Sequence, residues 1–177
     1  TGEVEISNEF YSVRADPYAG GGLVSIFDRR KKREVLRPGE RVGNELVALR
    51  EKPDRHEPAW EVYTTGEKTF SRDFPCEVTV EESPVRKRIR VAGEFVGNCR
   101  RIQEVWLCPG IPRIECATHL LTYAGEHDLI GVCFPVALEG AIPVFEDRCA
   151  SVARKKSRGW LEFQTKGPEA ISECALY

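Results

Sequence analysis

The sequence lacks the patterns that mark several classes of protein. It has no run of about 18 apolar residues, so we expect no membrane-spanning helix and no membrane partner. It also has no G-x-S-x-G, P-loop or G-x-G-x-x-G motif, and the triplet Gly20-Gly21-Gly22 is neither followed by a lysine nor placed before a helical pattern. At 41% hydrophobic and 31% charged residues, the composition is that of an ordinary globular domain.

The chain also lacks a strong charge of either sign. Its 26 basic and 28 acidic side chains leave a net charge of −2, which gives no long-range attraction to nucleic acid or anionic lipid. The basic run Arg29-Arg30-Lys31-Lys32-Arg33 is a local exception. It lies between two predicted strands, so we interpret it as a solvated hairpin tip.

The cysteine pattern indicates free thiols. None of the seven cysteines forms a C-x-x-C pair, and with only three histidines the sequence has no structural zinc spacing. The odd number of cysteines predicts a reducing, cytoplasmic location. Cys116 and Cys133 fall in apolar runs, so we expect both to be small buried residues.

The beginning of the sequence predicts that more protein precedes it. The chain has no methionine, begins at Thr1 and opens without a signal-peptide pattern. We therefore expect residues 1–177 to be a single domain, or part of one, within a longer multidomain protein.

The residues that are present indicate β-structure, most clearly in a meander that ends at Leu49. Phe10 to Ala15 alternates Tyr11, Val13 and Ala15 with polar or exposed positions, as a half-buried strand does. The pair Asp16-Pro17 ends that strand, and Leu23 to Asp28 is predicted to return beside it.

Strand patterns continue through the rest of the chain. Pro109-Gly110 is a strong hairpin signal, because proline presets the turn and glycine supplies the positive φ. No convincing helix is visible, so many strands at near-regular spacing predict an all-β antiparallel sandwich or barrel. The predicted strands are Asn44–Arg50, Cys76–Glu82, Val85–Val96, Arg101–Cys108, Pro112–Tyr123 and Asp128–Leu138, with Phe145–Arg148, Ala150–Ser157 and Trp160–Phe163 in the tail.

Several motifs, in order, resemble the large β-sandwich domain of family 38 α-mannosidases. The stretches ISNEFYSVRADP, GGGLVSIFDRRKKREVL and GNELVAL, followed by the Trp60 segment, are similar to N-x-[FY]-x-V-x-x-D, G-G-L-x-S-[IL]-x-D, G-R-E-V-L and G-N-x-L in that family. A looser likeness covers VWLCPGIPRIECATHLLTYAGEHDLIGVCFPV. Lys32 stands where the family usually has a glycine, so this turn either differs in type or places a lysine in the left-handed region.

The resemblance implies a galactose-mutarotase-like supersandwich that supports an enzyme. In those α-mannosidases the nucleophile and zinc ligands belong to a preceding α/β domain, which no stretch here matches. The resemblance thus implies no catalytic residue, metal or cofactor in this chain, with zinc in the catalytic domain of the intact enzyme. The chain is expected to pack on that domain and lend residues to the wall of an α-mannoside pocket.

Three residues are candidates for that wall, each with a structural alternative. Trp60 follows a polar loop, and its indole could stack on a pyranose; the alternative is a core tryptophan. Asn44 could bind hydroxyl groups or satisfy the backbone where a strand begins. His119 shares a strand face with Arg113 and Glu115, which could be a sugar-binding surface or a plain solvated face.

Two other functions remain open from sequence. A free-standing aldose mutarotase or epimerase would need a carboxylate and a histidine, either His119 or His127, converging on a concave sheet face. A non-catalytic carbohydrate-binding module would need only a sugar-binding surface.

Overall fold

The chain folds into antiparallel β-strands, as the sequence predicts. The computed structural model describes residues 2–39, 41–53, 63–138, 142, 144–147 and 150–153. In this part of the chain the only helical elements are two short 3-10 turns, Pro17–Ala19 and Ser71–Asp73. None of the described helices has the length and apolarity to cross a membrane. The all-β prediction is confirmed.

The first sheet is the predicted meander. It has the order β1 (Val4–Ser7), β2 (Tyr11–Asp16), β3 (Gly22–Asp28) and β4 (Arg33–Glu34). The basic run forms the tip between β3 and β4, and Lys32 there has a φ of 51°. The lysine therefore occupies the left-handed region, one of the two outcomes expected at this turn.

Two strands, β5 (Glu45–Glu51) and β6 (Thr64–Phe70), follow the meander and pair with each other. Leu46, Val47 and Ala48 are all buried, which confirms the prediction that β5 is covered on both faces. The sequence analysis missed β6. Its residues, TTGEKTF, are mostly polar, and β6 is held as an edge strand by its pairing with β5 rather than by an apolar pattern.

The second sheet contains four strands. Its order is β10 (Ile114–Leu121), β9 (Cys99–Leu107), β8 (Lys87–Phe95) and β7 (Cys76–Glu82). The predicted turn at Pro109-Gly110 is present, with the Ile111 N–H donating to the Cys108 carbonyl at 3.4 Å and Gly110 at a φ of 71°. A positive φ at that position is the mark of a type II turn.

The last described strands complete a third sheet and a separate hairpin. β11 (Asp128–Cys133) pairs with β5 on the side opposite β6, so β5 is the central strand of that sheet. β12 (Val144–Asp147) and β13 (Ala150–Ala153) form a hairpin. The predicted strand at Trp160–Phe163 lies outside the described residues.

The first two sheets pack face to face around one apolar core, which makes the domain a sandwich. A smaller cluster of Leu46, Ala48 and Phe95 joins the third sheet to the second, and Phe74 meets Phe95 edge to face with ring centroids 5.5 Å apart. The main core consists of Ile6, Val13, Ala15, Leu23, Ile26, Leu36, Ile89, Val91, Val105 and Leu107.

One predicted burial is wrong. Cys133 is 2% exposed, as expected, but Cys116 is an exposed residue. Cys116 pairs with buried Val105 and so shares its sheet face, yet β10 is the edge strand of its sheet in the described part of the chain. A strand pattern gives the face of a residue but not whether that face is covered.

Candidate functional site

The predicted contact residue Trp60 lies outside the described residues, but the structure shows where its segment is attached. The Lys52 N–H donates to the Tyr63 carbonyl at 2.7 Å, so the two ends of residues 54–62 are held together. Beside them, the Glu51 N–H donates to the His127 carbonyl at 2.7 Å. Lys52 and Tyr63, between which Trp60 lies in the sequence, are therefore close to the loop between β10 and β11.

Asn44 lies at the start of β5 and is only 5% exposed. Its φ of 56° is in the left-handed region, which asparagine tolerates better than most residues. Its carbonyl accepts a hydrogen bond from Gln103 Nε2 at 2.6 Å, whereas its Oδ1 has no hydrogen-bond partner among the described residues. The hydrogen bond seen is made by the Asn44 backbone and not by its side chain, so both the contact with sugar and the alternative, a side chain that satisfies the backbone, stay predictions.

His119 lies on the face of the second sheet that points away from Asn44. It pairs with Ile102, whereas Gln103, the next residue of β9, points inward to Asn44. Since successive side chains of a strand point to opposite faces, the side chains of His119 and Asn44 do not share a pocket. His119 is exposed, and on its strand face Arg113 Nε donates to Glu115 Oε1 at 2.5 Å.

A polar cluster that was not predicted lies where β5, the beginning of β11 and the loop between β10 and β11 meet. The Tyr123 hydroxyl donates to Asp128 Oδ2 at 3.1 Å, and Arg50 Nη1 lies 3.3 Å from Asp128 Oδ1. Arg50 Nη1 also donates to the Glu126 carbonyl at 2.7 Å. We call Arg50, Tyr123 and Asp128 the loop-end cluster, because all three lie beside the attachment of the Trp60 segment.

The backbone and the charges both hold this loop in a defined shape. Thr122 and His127 each have a φ of 58°, and a left-handed β-branched threonine stores strain that its surroundings must offset. Burial, followed by the hydrogen bond to Asp128, raises the pKa of Tyr123, so its hydroxyl stays protonated at neutral pH. The cluster presents a hydroxyl group, a nearly buried carboxylate and a guanidinium, groups that can bind sugar hydroxyls.

A second polar centre is completely buried between the sheets. The side chain of Arg101 is 0% exposed. Its guanidinium donates to the Gln103 side chain at 2.6 Å, to the Gly20 carbonyl at 2.9 Å and to the Ser71 carbonyl at 3.3 Å. Burial lowers the pKa of Arg101, as expected for a cation removed from water. Together with the Gln103 bond to Asn44, this centre joins both 3-10 turns to the start of β5.

Beside that centre, Glu45 is also buried. Arg72 Nε lies 2.6 Å from its Oε1, and both Arg72 and Arg41 stack on the ring of Phe70 at about 5 Å. Burial raises the pKa of Glu45 to about 7, against the opposing effect of Arg72. This carboxyl group therefore changes charge near neutral pH inside the domain.

The chain matches the family model described as the glycosyl hydrolases family 38 C-terminal domain over residues 6–164. That range is most of the 177 residues. The chain belongs to this family. The resemblance seen in the sequence motifs is confirmed, and the chain is a domain of the glycoside hydrolase family. No curated protein matches it.

Sequence reasoning missed the polar residues of this family 38 domain that the structure brings together. One signal was present for the buried centre. Arg101 and Gln103 alternate along β9 with the same period as the core residues Val105 and Leu107, so all four lie on the same face of the strand. A charged residue at an inward position is rarely buried without partners, so the position of Arg101 indicated a buried polar network. The loop-end cluster had no comparable signal, because Arg50 is far in sequence from Tyr123 and Asp128.

Replacement of Arg101 tests the buried centre. We expect Arg101→Met to lower the free energy of unfolding by roughly 3 kcal/mol or more, because each buried acceptor left without a donor costs about 1–3 kcal/mol. The measurement is urea unfolding of the 177-residue chain. Arg100→Met, at the exposed neighbouring position, is the matched control and should change stability by about 0.5 kcal/mol at most. Equal effects of the two variants would contradict the role of Arg101.

The pKa of Glu45 gives a prediction about pH. Between its ordinary value of 4.5 and about 7, the unfolded chain loses this proton while the folded chain keeps it. Glu45 therefore makes the free energy of unfolding fall as pH rises through this window, by about 1.4 kcal/mol per unit of difference in pKa. In Glu45→Gln this fall should be absent, so the stability difference between variant and wild type should change by roughly 3 kcal/mol across the window. Urea unfolding at several pH values measures it, with the exposed Glu94→Gln as control. A constant difference would contradict the assignment.

Proposed function

We propose that this chain is the β-sandwich domain of a zinc-dependent α-mannosidase, and that it packs on the catalytic domain and forms part of the sugar-pocket wall. The observation that carries the proposal is membership of the family 38 C-terminal domain over residues 6–164. The α-mannoside substrate and the cytoplasmic location of the enzyme are parts of this proposal. Cys76, Cys99, Cys108 and Cys116 form no disulfide, which supports such a location.

Exposed apolar side chains support the packing. Leu120, Leu121, Tyr123 and Leu129 are 38%, 42%, 38% and 40% exposed, and all fall in one segment at the end of β10 and the beginning of β11. Apolar side chains concentrated in this way are typical of surfaces that another domain covers. We therefore place the contact with the catalytic domain at this end of the sandwich.

Polar groups at this end of the sandwich, near the end of β10 and the beginning of β11, support a contribution to the pocket wall. The loop-end cluster offers hydrogen-bonding groups, and the Trp60 segment is attached beside it. The aromatic ring of Tyr123 next to the polar groups of Asp128 and Arg50 suits a sugar ring that has both an apolar face and hydroxyl groups. Trp60 and Tyr123 are our candidates for contact with the mannoside.

The bond-breaking groups and the zinc belong to the catalytic domain in this proposal. The described residues of the present chain contain no group of three histidine, cysteine or acidic side chains that could hold a metal ion. Zinc would supply a Lewis acid that holds the sugar, and a carboxylate of that domain would act as the nucleophile of a retaining hydrolase. This chain would orient the substrate and exclude water.

No observation favours the mutarotase alternative. His119 and His127 lie on different elements, β10 and the loop after it. A mutarotase needs an acid and a base that converge on one sugar oxygen.

Hydrolysis of an aryl α-mannoside tests the proposed function. We expect the 177-residue chain alone to be inactive. The product of the complete reading frame should be active, should lose activity when a chelator removes zinc and should regain it when zinc is added. An active 177-residue chain, or a complete protein without mannosidase activity, would overturn the proposal. Measuring anomerisation of free sugars with the same sample tests the mutarotase alternative directly.

A charge at the proposed domain contact tests the packing. In the complete protein, Leu129→Asp should lower the midpoint of thermal unfolding by several degrees, because a domain contact would then bury an unpaired carboxylate. Val85→Asp is the matched control, since Val85 is 72% exposed in the turn between β7 and β8. In the isolated 177-residue chain both variants should unfold close to the wild-type temperature. Equal effects of the two variants in the complete protein would show that this surface is not the contact.

A further inference from the structure

The outer face of the first sheet carries a concavity that the proposed function does not use. It has a volume of about 500 Å³ and opens to solvent. It lies on β2, β3 and the hairpin to β4, whereas the proposed domain contact lies on β10 and β11. Its lining residues are Ser12, Arg14, Ser25, Phe27, Arg29 and Glu34.

The strand register brings these side chains together. Phe27 pairs with Ser12 on one side and with Glu34 on the other, so the three lie in a row across the sheet. Arg14 pairs with Ser25 in the next row of the same face. The register shifts between Arg14 and Ala15, and a bulge of this kind bends and twists the strand locally. The surface is therefore built by the sheet rather than by a mobile loop.

The carboxylate of Glu34 is fixed in position. Its Oε1 accepts hydrogen bonds from the backbone N–H groups of Ile26, Val35 and Leu36 at 2.7, 3.0 and 3.1 Å. Its Oε2 accepts from the hydroxyl of Ser25 at 2.6 Å, and Ser25 is only 5% exposed. Burial raises the pKa of Glu34, but these hydrogen bonds outweigh it, so the net pKa is lowered and the group is ionised at neutral pH. Oε2 keeps a lone pair for one further donor.

Phe27 supplies an apolar surface between these polar groups. Its side chain is 38% exposed and is not part of the core clusters. A phenyl ring flanked by a hydroxyl and a fixed carboxylate matches a pyranose, which has an apolar face and a rim of hydroxyl groups. Its position in the strand row places it between Ser12 and Glu34.

The charges favour a neutral ligand over an anion. Arg14 Nη1 donates to Glu3 Oε2 at 2.5 Å, and Ser12 donates to Glu5 Oε1 at 2.6 Å. The fixed carboxylate of Glu34 would repel a phosphate or sulfate group. Within the lining the charge of Arg29 is opposite to that of Glu34, and the rest of the basic run, Arg30 to Arg33, is not among the lining residues. Arg29 can donate hydrogen bonds to hydroxyl groups at the rim.

We infer that this concavity is a second carbohydrate-binding site, separate from the pocket wall, in which a pyranose stacks on Phe27 while Glu34 accepts and Arg29 donates hydrogen bonds. The choice of an α-mannoside as its ligand rests on the proposed function. The site itself rests on the geometry of the first sheet. It would hold one residue of an oligosaccharide away from the place where another residue is cleaved.

The test is titration of the 177-residue chain with α-linked mannobiose, followed by NMR shifts of backbone amides. We expect saturable binding in the millimolar range, with the largest shifts in β2, β3 and β4. Phe27→Leu, which keeps an apolar side chain but removes the ring, should weaken binding about tenfold or more, as loss of an aromatic anchor does. Arg29→Ala, an exposed change with little risk to folding, should weaken it severalfold.

The matched control is Tyr18→Ala, because Tyr18 is an aromatic residue that is 80% exposed outside the concavity. This variant should bind as the wild type does. Absence of saturable binding, or binding that Phe27→Leu and Arg29→Ala leave unchanged, would overturn the site. Binding of cellobiose but not of mannobiose would overturn the choice of ligand. Because the proposed function is tested by hydrolysis in the complete protein, it can fail independently of this site.

Discussion

A buried arginine whose guanidinium donates hydrogen bonds to uncharged oxygen atoms links distant segments of the domain. Arg101 reaches the carbonyls of Gly20 and Ser71, and Gln103 extends the network to Asn44. Apolar contacts alone allow one layer to slide over another. These hydrogen bonds are directional, and they fix the distances from β9 to Gly20, Ser71 and Asn44, which are far from it in sequence. The close approach leaves no room for a side chain at Gly20, where an added Cβ would lie 2.5 Å from the Cα of Arg72.

This constraint is connected to the proposed sugar-pocket wall through one strand. Asn44 directly precedes β5, and its carbonyl is tied to the buried centre. β5 ends at Arg50 and Glu51, which contact the loop-end cluster and the loop before β11. β5 is paired on both sides, with β11 and with β6, although its register with β6 shifts between Leu49 and Glu51. The same strand therefore contacts the buried centre near one end and the loop-end cluster near the other. In the proposed function, a domain that supports a catalytic domain needs its contact residues held in position.

The two polar surfaces of the domain have different physical origins. The loop-end cluster is made by residues of separate segments that meet across a strained loop, where Thr122 has a positive φ. The concavity around Phe27 is made by neighbouring strands of one meander, so its geometry follows from local register. A site of the second kind tolerates changes elsewhere in the protein better than a site of the first kind, because its parts are joined by short connections.

The sequence by itself determined the local elements. Alternation at Val13 and Ala15, the Asp16-Pro17 break and the Pro109-Gly110 turn each predicted a feature that the structure shows, because strand parity and turn torsions depend on residues close together in the chain. The family could be predicted for the same reason, since its motifs are short strands and turns in a fixed order.

Only the tertiary structure decided which polar side chains are buried and which faces are covered. Arg101 and Glu45 are at inward positions that local pattern assigns to apolar residues, and their burial depends on acceptors and donors from distant segments. Cys116 shares the inward face with Val105 but is exposed, because its strand lies at an edge of the described sheet. The polar strand β6 forms because β5 offers it a partner. In each case the free energy depends on groups that are distant in sequence, and no local pattern carries that information.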